Sequence, residues 1–563
     1  MKHHAPRTEL STHNVTNQSE PLTGVNWYAG DAMLKSAVER NGGAAHHAHL
    51  ESFGGEVGSD GVQDLARMAN ENPPQFKPFD RFGQRIDEVE FHPAYHALME
   101  LGLSGGVSAA AWRTDTAPHT LHSALLILMG QADAGVCCPQ SMTYACVPAL
   151  RHADWTGPWI EGATSGRYDP RFLPPEDKTG LTIGMAMTEK QGGSDVRTNA
   201  TRAVSTGTGT DTVELTGHKW FCSAPMSDAF LTLAYEGDGK GGGNGEGDSQ
   251  SEDSALSCFL VPRWRPDGTR NEIEIQRLKD KLGDKSNASS EIEYKNAHAR
   301  RIGDPGRGVR TIIEMVNHTR LDCLVGSAGL IRNAAAQAIW HADRRTAFQR
   351  RLIDQPLMAE VLAELSMEAE AALALAFRVA HSFDHAATDP HEAALARLLT
   401  PIAKYWICKR APYLVYEAME AHGGAGYVEE SPLPRLFRQS PLNAIWEGSG
   451  NVIALDVLRA LTKDESARDA LTAELETARG LHRALDARLD TLAAMAGHLH
   501  ESDARRFTEL AATTLTACAL ARASQHTTLD AYIARRIAES PVMLGAGEAK
   551  IDTKALIGRG RLG

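Results

Sequence analysis

The chain reads as an α+β multidomain protein in which a compact β domain separates two helical regions and a further helical segment follows. Three observations predict this. A length of 563 residues exceeds what one apolar core usually organises. Residues 181–304 hold short β-prone runs broken by Gly, Asp, Asn and Pro. On both sides of them, apolar residues recur at the three- and four-residue spacing of helices.

Residues 1–180 mix polar, Pro-containing loops with helix-compatible segments such as HSALLILMGQADAGV, so a mainly α-helical domain is expected. The middle domain, 181–304, takes its strands from LTIGMAMT, DTVELTGHKWF, AFLTLAY, LSCFLVPRW and SSEIEY. Within it, residues 236–254 (EGDGKGGGNGEGDSQSEDS) are acidic and nearly free of apolar side chains. Such a stretch cannot repay the entropy of ordering, which predicts a disordered loop between two strands.

Residues 305–460 return to apolar stripes of helical period and are expected to form a helical bundle, with Gly423 and Gly424 stopping its third helix. Residues 461–563 form an extra, alanine-rich domain expected to be helical to about residue 540.

Composition narrows the function. With 42% hydrophobic and 23% charged residues most of the chain should fold, and a formal charge of −13 argues against a surface devoted to nucleic acid or anionic lipid. Eight sparse cysteines without CxxC spacing read as reduced thiols in a cytoplasmic setting. No run of about 18 apolar residues occurs and the amino terminus lacks a signal-like apolar core, so a soluble protein away from membranes is expected.

Three stretches carry chemistry. MTEKQGGSDVRT (187–198) places Met187, Thr188, Gly193 and Ser194 on a loop after a predicted strand, where N–H groups and hydroxyls can bond a flat heteroaromatic ring. Taken alone, an ordinary turn is the favoured reading. GHKWFCSAP (217–225) offers Trp220 as an aromatic platform with Ser223 beside it, although in isolation a core tryptophan with a turn serine is again the favoured reading.

AIWEGSGNV (444–452) sets Glu447 just ahead of a helix for which Asn451 is a candidate N-cap. The positive end of that helix keeps a carboxylate ionised and ready to take a proton.

Two further patterns carry no site. GRGRLG (558–563) matches GxGxxG but has no following helix to face a phosphate. His46, His47 and His49 lack a partner set for a metal and read as a solvated loop, so no metal is assigned.

In order, TEKQGGSDV, GHKWFCS and IWEGSGN resemble the flavin loop, the GxKxWIT segment and the catalytic turn of the acyl-CoA dehydrogenase family. MTEKQGGSDV, RLKDKLGDKSNASSE, LTPIAKYWICKR, NENPP and FHPAYH are most similar to its AidB branch, which is associated with the adaptive response to DNA alkylation. The resemblance covers roughly residues 25–465.

It implies an acyl-CoA dehydrogenase fold: an N-terminal α domain, a β-barrel-like middle domain, a C-terminal α bundle and an added helical domain. It also implies FAD and a homotetramer. Thr188 and Trp220 would then meet the flavin, and Ser194 its phosphate or substrate side. Arg345, Phe348 and Gln355 would reach the FAD of an adjoining subunit, and Ser449 and Asn451 the adenosine.

Where the family has a threonine whose hydroxyl reaches flavin N5 the chain has Cys222, with Ser223 as a substitute. Some branches draw their base from the position of Thr319, which cannot serve, leaving Glu447. Asp322 could face the pocket with Arg320 nearby, but a structural ion pair within the bundle is at least as well supported, and Asp322 ranks low as a site residue.

Two functions stay open. One is an FAD-dependent oxidoreductase that desaturates an acyl thioester with Glu447 as base. The other is a DNA-associated flavoprotein of the alkylation response, with double-stranded DNA on the terminal domain. That domain balances 14 basic against 14 acidic residues, and Arg535 and Arg536 read as a solvated helix face. The enzyme is favoured; a fold that keeps FAD but has lost catalysis is a third possibility.

Overall fold

Trp27, Tyr144, Phe230 and Phe377, bulky side chains spread along the sequence, are all fully buried, as the apolar periodicity demands. The computed structural model describes residues 10–207, 211–237 and 255–563. They fall into two compact units, one of Met1–Asp64, Asp115–Ala132 and Arg320–Gly563, the other of Leu65–Thr114 and Asp133–Thr319.

The second unit starts with a feature that the sequence reading placed in a helical domain. Gln75–Phe79 (β1) and Arg85–Glu90 (β2) form an antiparallel hairpin. Pro73 and Pro74 forbid a helix here, and Asp80 closes the turn by accepting from the N–H groups of Phe82 and Gln84.

The main sheet of this unit comprises Ile183–Ala186 (β3), Arg202–Ser205 (β4), Thr212–Ser223 (β5), Ala229–Glu236 (β6), Ala255–Pro262 (β7), Ile273–Leu278 (β8) and Ser289–Ile302 (β9). β6 pairs with β4, β4 with β5, β5 with β9, β9 with β7 and β7 again with β6, so the pairing closes on itself. Closure of these five strands gives the barrel-like character expected, while β3 pairs only with β6 and β8 only with β9 at its margins. β4 and β8 fall outside the runs read as strands. The loop expected at 236–254 lies, from residue 238 onward, outside the described residues.

Helix Ala134–Leu150 braces this sheet. Its N-cap Asp133 accepts from Val136 N–H and from Ser286 Oγ, and Thr143 Oγ1 accepts from Ile183 N–H at 3.1 Å.

The first unit is helical. It contains Ala32–Arg40, His47–Val57, Pro118–Ala132, the part of Gly308–Arg344 from residue 320, Pro356–His385, Pro390–Ala421 and Gly450–Lys463. Pro390–Ala421 begins with Asp389 capping His391 N–H, and it ends just before Gly423, whose φ of +61° no helix can continue. His46, His47 and His49 are not in a loop: Gly43–His46 is a 3-10 turn and the other two lie in His47–Val57.

The terminal residues add helices that include Ala504–Arg522 and, beyond the expected limit near 540, Thr553–Gly560. Gly558 and Gly560 of GRGRLG belong to that last helix, which explains why the motif is no phosphate loop. A Cβ at Gly560 would lie 2.5 Å from Ile339 Cδ1, so the glycine permits close packing.

Arg535 and Arg536 correct the sequence reading. They are 1% and 6% exposed and belong to no solvated face. Arg536 pairs with Glu364 at 2.8 Å and Glu368 at 2.5 Å, and Arg535 with Glu360 at 2.8 Å. Glu360, Glu364 and Glu368 recur every fourth position on Pro356–His385, so one helix face presents a row of carboxylates. Arg410 also joins Glu368, at 2.7 Å.

Among the described residues no helix is long and apolar enough to cross a membrane, and no cluster of His, Cys, Asp or Glu has the makings of a metal site.

Candidate active site

In the second unit, residues 187–200 follow β3 and fold over β5. Trp220 N–H donates to Thr188 O at 2.8 Å, which ties the loop to the strand. Gly193 packs closely on Thr188: a Cβ there would come within 2.8 Å of Thr188 Cγ2, so a larger residue would displace the threonine side chain. Met187 and Thr188 are half-buried, whereas Gly193 and Ser194 are exposed.

The anchor of this loop is a pair the sequence reading missed. Glu189 and Lys219 are fully buried and 2.8 Å apart. Glu189 also accepts from Ala200 N–H, Thr201 N–H and Thr201 Oγ1, and Lys219 donates to Leu233 O at 2.9 Å. Burial works to raise the Glu189 carboxyl, but the Lys219 charge and these donors outweigh it and hold it down at about 2. The signal lay in the motifs themselves: the glutamate follows Thr188 and the lysine precedes Trp220.

β5 turns Trp220 outward through a bulge. Its pairing with β9 slips between Lys219 and Cys222, so Trp220 and Phe221 both face out, 36% and 44% exposed. Their rings meet edge to face, with centroids 4.9 Å apart, and Lys279 Nζ sits over both.

Cys222 faces inward and is fully buried, which pushes its thiol up to about 12. Ser223 is half-buried, its hydroxyl 3.2 Å from Ser289 Oγ. An exposed aromatic face beside a hydroxyl-bearing, glycine-containing loop fits a flat heteroaromatic group such as a flavin.

In the first unit, Glu447 sits in a turn between the 3-10 turn Leu442–Ala444 and helix Gly450–Lys463. Its φ is +57°, the left-handed region that disfavours a side chain, and Gly448 follows at +108°. Arg320 Nε donates to Glu447 O at 3.0 Å and its Nη1 to Asp456 Oδ2 at 2.8 Å. Buried Lys404 donates to Asn443 O and Gly448 O, each at 3.0 Å. The two cations fasten the backbone on either side of the Glu447 carboxylate, and neither was singled out for this in the sequence reading.

Other expectations change here. The N-cap of Gly450–Lys463 is Ser449, not Asn451; Asn451 Oδ1 instead accepts from Arg505 at 3.3 Å. Asp322 pairs with His122 at 2.7 Å rather than with Arg320, whose partner is Asp456. Thr319 hydroxyl bonds Val316 O at 3.0 Å.

Arg345 bonds Asn17 O at 2.6 Å and Gln355 bonds Ala347 O at 2.9 Å. Between them Phe348 is 94% exposed at a φ of +49°, in a tight hairpin that offers its ring to solvent. Ser449 and Asn451 are exposed on the first turn after Glu447.

Comparison with known proteins gives this geometry a context. Residues 184–297 match the acyl-CoA dehydrogenase middle domain, 306–462 the acyl-CoA dehydrogenase C-terminal domain, and 17–170 the N-terminal domain of adaptive response protein AidB. Over 483 residues the chain is 44% identical to a putative acyl-CoA dehydrogenase AidB of Escherichia coli (strain K12), covering 84% of this chain and 85% of that one.

The chain belongs to the acyl-CoA dehydrogenase family, in its AidB branch.

A second relative, acyl-CoA dehydrogenase family member 11 of Caenorhabditis elegans, is 32% identical over 428 residues, 74% of this chain and 67% of that one. The crystal structure of C. elegans ACDH-11 in complex with C11-CoA superposes with a TM-score of 0.81 at 28% identity, covering 93% of this chain and 91% of that one. Membership in the family supports FAD-dependent oxidoreductase activity, with FAD as the cofactor.

Proposed function

We propose that the protein desaturates the acyl group of an acyl thioester between its α and β carbons, with Glu447 taking the α proton. The observation that carries this reading is the Glu447 turn. A residue with a side chain at φ +57° costs on the order of 1–3 kcal/mol, which a fold tolerates where the surroundings over-determine it. Arg320 and Lys404 supply that constraint.

With its backbone so fixed, Glu447 would need little reorganisation to bring its carboxylate to a C–H bond. Glu447 would begin ionised, accept the proton into its carboxylate and become the neutral acid, and expulsion of water by substrate would strengthen it as a base.

FAD supplies a hydride acceptor when bound. Met187, Thr188, Gly193, Ser194, Trp220 and Ser223 would hold its ring and phosphate side, and Ser449 and Asn451 its adenosine. Arg345, Phe348 and Gln355 would reach the FAD of a neighbouring subunit in a homotetramer. That role gives the exposed Phe348 ring a partner. The C11-CoA bound to the C. elegans structure supports a CoA thioester as the substrate class in a cytoplasmic enzyme.

The DNA-associated reading finds less support, since Arg535, Arg536, Arg559 and Arg561 are all engaged with carboxylates of the chain.

The test is an anaerobic titration of the purified flavoprotein with acyl-CoA thioesters of graded chain length, C11 included. At least one should bleach the flavin absorbance; if none does, the reading fails.

A further inference from the structure

The second unit holds a cavity of about 310 Å³ between the β1–β2 hairpin, helix Pro93–Ser104, residues 168–182 and the turn after β5. It is a cleft partly open to solvent, and its volume reaches the lower end of the ~300–1,000 Å³ range of small-molecule sites. None of the residues assigned above to flavin or proton chemistry lines it.

Its walls are aromatic and soft. Phe91 and Tyr95 stack with centroids 4.1 Å apart, Tyr168 stacks on His96, and Met99 and Met226 fill the remaining sides. Its charges are all compensated. Glu88 pairs with Arg270 at 2.5 Å, Glu90 with Lys77 at 3.3 Å, Asp169 with Arg171 at 2.6 Å and Lys178 with Asp228 at 2.5 Å.

Beside these paired charges the wall carries neutral polar groups: the Tyr168 hydroxyl, bonded to His96 Nδ1 at 2.8 Å, and the residues Thr182 and Ser227. An ionic ligand would meet no unpaired counter-charge, while a flat uncharged ring would find stacking surfaces and a hydroxyl to bond.

A second observation points the same way. Ala224, in the wall directly after Ser223, holds a φ of +49°, and its N–H is fixed to Ala288 O at 2.8 Å. Non-glycine residues strained in this way cluster at ligand clamps and switches.

We infer that this cavity is a second binding site, separate from the acyl thioester site, for a small uncharged aromatic molecule bearing one hydroxyl or carbonyl group.

The probe is 1-naphthol, titrated calorimetrically into the flavin-loaded protein at pH 7, with anionic 1-naphthoate as control. Wild type should bind 1-naphthol at micromolar concentration and 1-naphthoate at least tenfold more weakly. Met99→Trp, which fills the space, should weaken 1-naphthol at least tenfold while leaving the circular dichroism intact; if that variant misfolds, Met226→Phe takes its place.

Absence of binding to wild type, equal binding to the folded cavity-filling variant, equal affinity for the naphthoate, or displacement of 1-naphthol by a saturating acyl-CoA would each overturn the assignment. Because binding is read without turnover, these outcomes are distinguishable from a failure of the dehydrogenase reading.

Discussion

Arg320 bridges two elements: its Nε holds the Glu447 carbonyl at 3.0 Å while its Nη1 holds Asp456 at 2.8 Å. Asp456 accepts from Arg397 as well, at 2.8 Å, so the guanidinium is fixed at both ends. A lysine, as a single compact charge, cannot span both acceptors. Arg320→Lys should leave the fold intact, lower kcat by about 10–100-fold and change KM by less than about threefold, because a loosened base costs mainly in the transition state. Steady-state kinetics on whichever thioester bleaches the flavin will decide.

Lys219→Met would strand the buried Glu189 carboxylate, and breaking such a pair costs about 3–5 kcal/mol. Thermal unfolding should show a lowered Tm together with flavin lost on gel filtration, since the pair fastens the 187–200 loop. The pair's contribution is present in full above the ordinary glutamate pKa and disappears as pH falls toward about 2, so wild type and variant should converge in strong acid.

The row of carboxylates on Pro356–His385 makes Arg536→Met costly, because Glu364 and Glu368 would both lose a buried partner. A loss of about 3–5 kcal/mol is expected by denaturant titration. Replacing solvent-facing arginines would instead stay within about 0.5 kcal/mol. Arg536→Met should leave any retention on double-stranded DNA unchanged, because its guanidinium is already held by Glu364 and Glu368.

His341 carries a pH prediction. It is buried, its ring lies 4.4 Å from that of His422 at a tilt of 31°, and its Nδ1 shares a 2.8 Å hydrogen bond with Ser19 Oγ. Burial, and next the His422 and Arg345 charges, push it down to about 4. Between pH 4 and 6.5 the unfolded chain therefore binds a proton that the folded one refuses, and stability rises with pH across that window by at most about 3 kcal/mol. Urea titrations from pH 4 to 8 should show that rise, and His341→Phe should flatten it.

What was legible in the sequence was local. β5, β6 and β7 stand where the β-prone runs predict strands, and the loop after β3 and the turn at Glu447 stand where the short motifs predict them. β4, only four residues long with an Arg and a Ser among them, gives no such alternation, and the β1–β2 hairpin was masked by helical segments on either side.

Arg320 and Lys404 could not be recognised because their acceptors lie 127 and 44 residues away along the chain. For the same reason Arg535 and Arg536 looked like a surface patch: the glutamates that bury them belong to a helix more than 160 residues earlier.

The central claim is that Glu447 is the base. Exchange of the α protons of a bound, non-oxidisable acyl-CoA analogue into D2O, followed by NMR, reports that step without turnover. Wild type should exchange them measurably, and Glu447→Gln should be slower by about 10²–10⁴-fold with unchanged analogue affinity. Equal exchange rates in the two proteins would contradict the assignment.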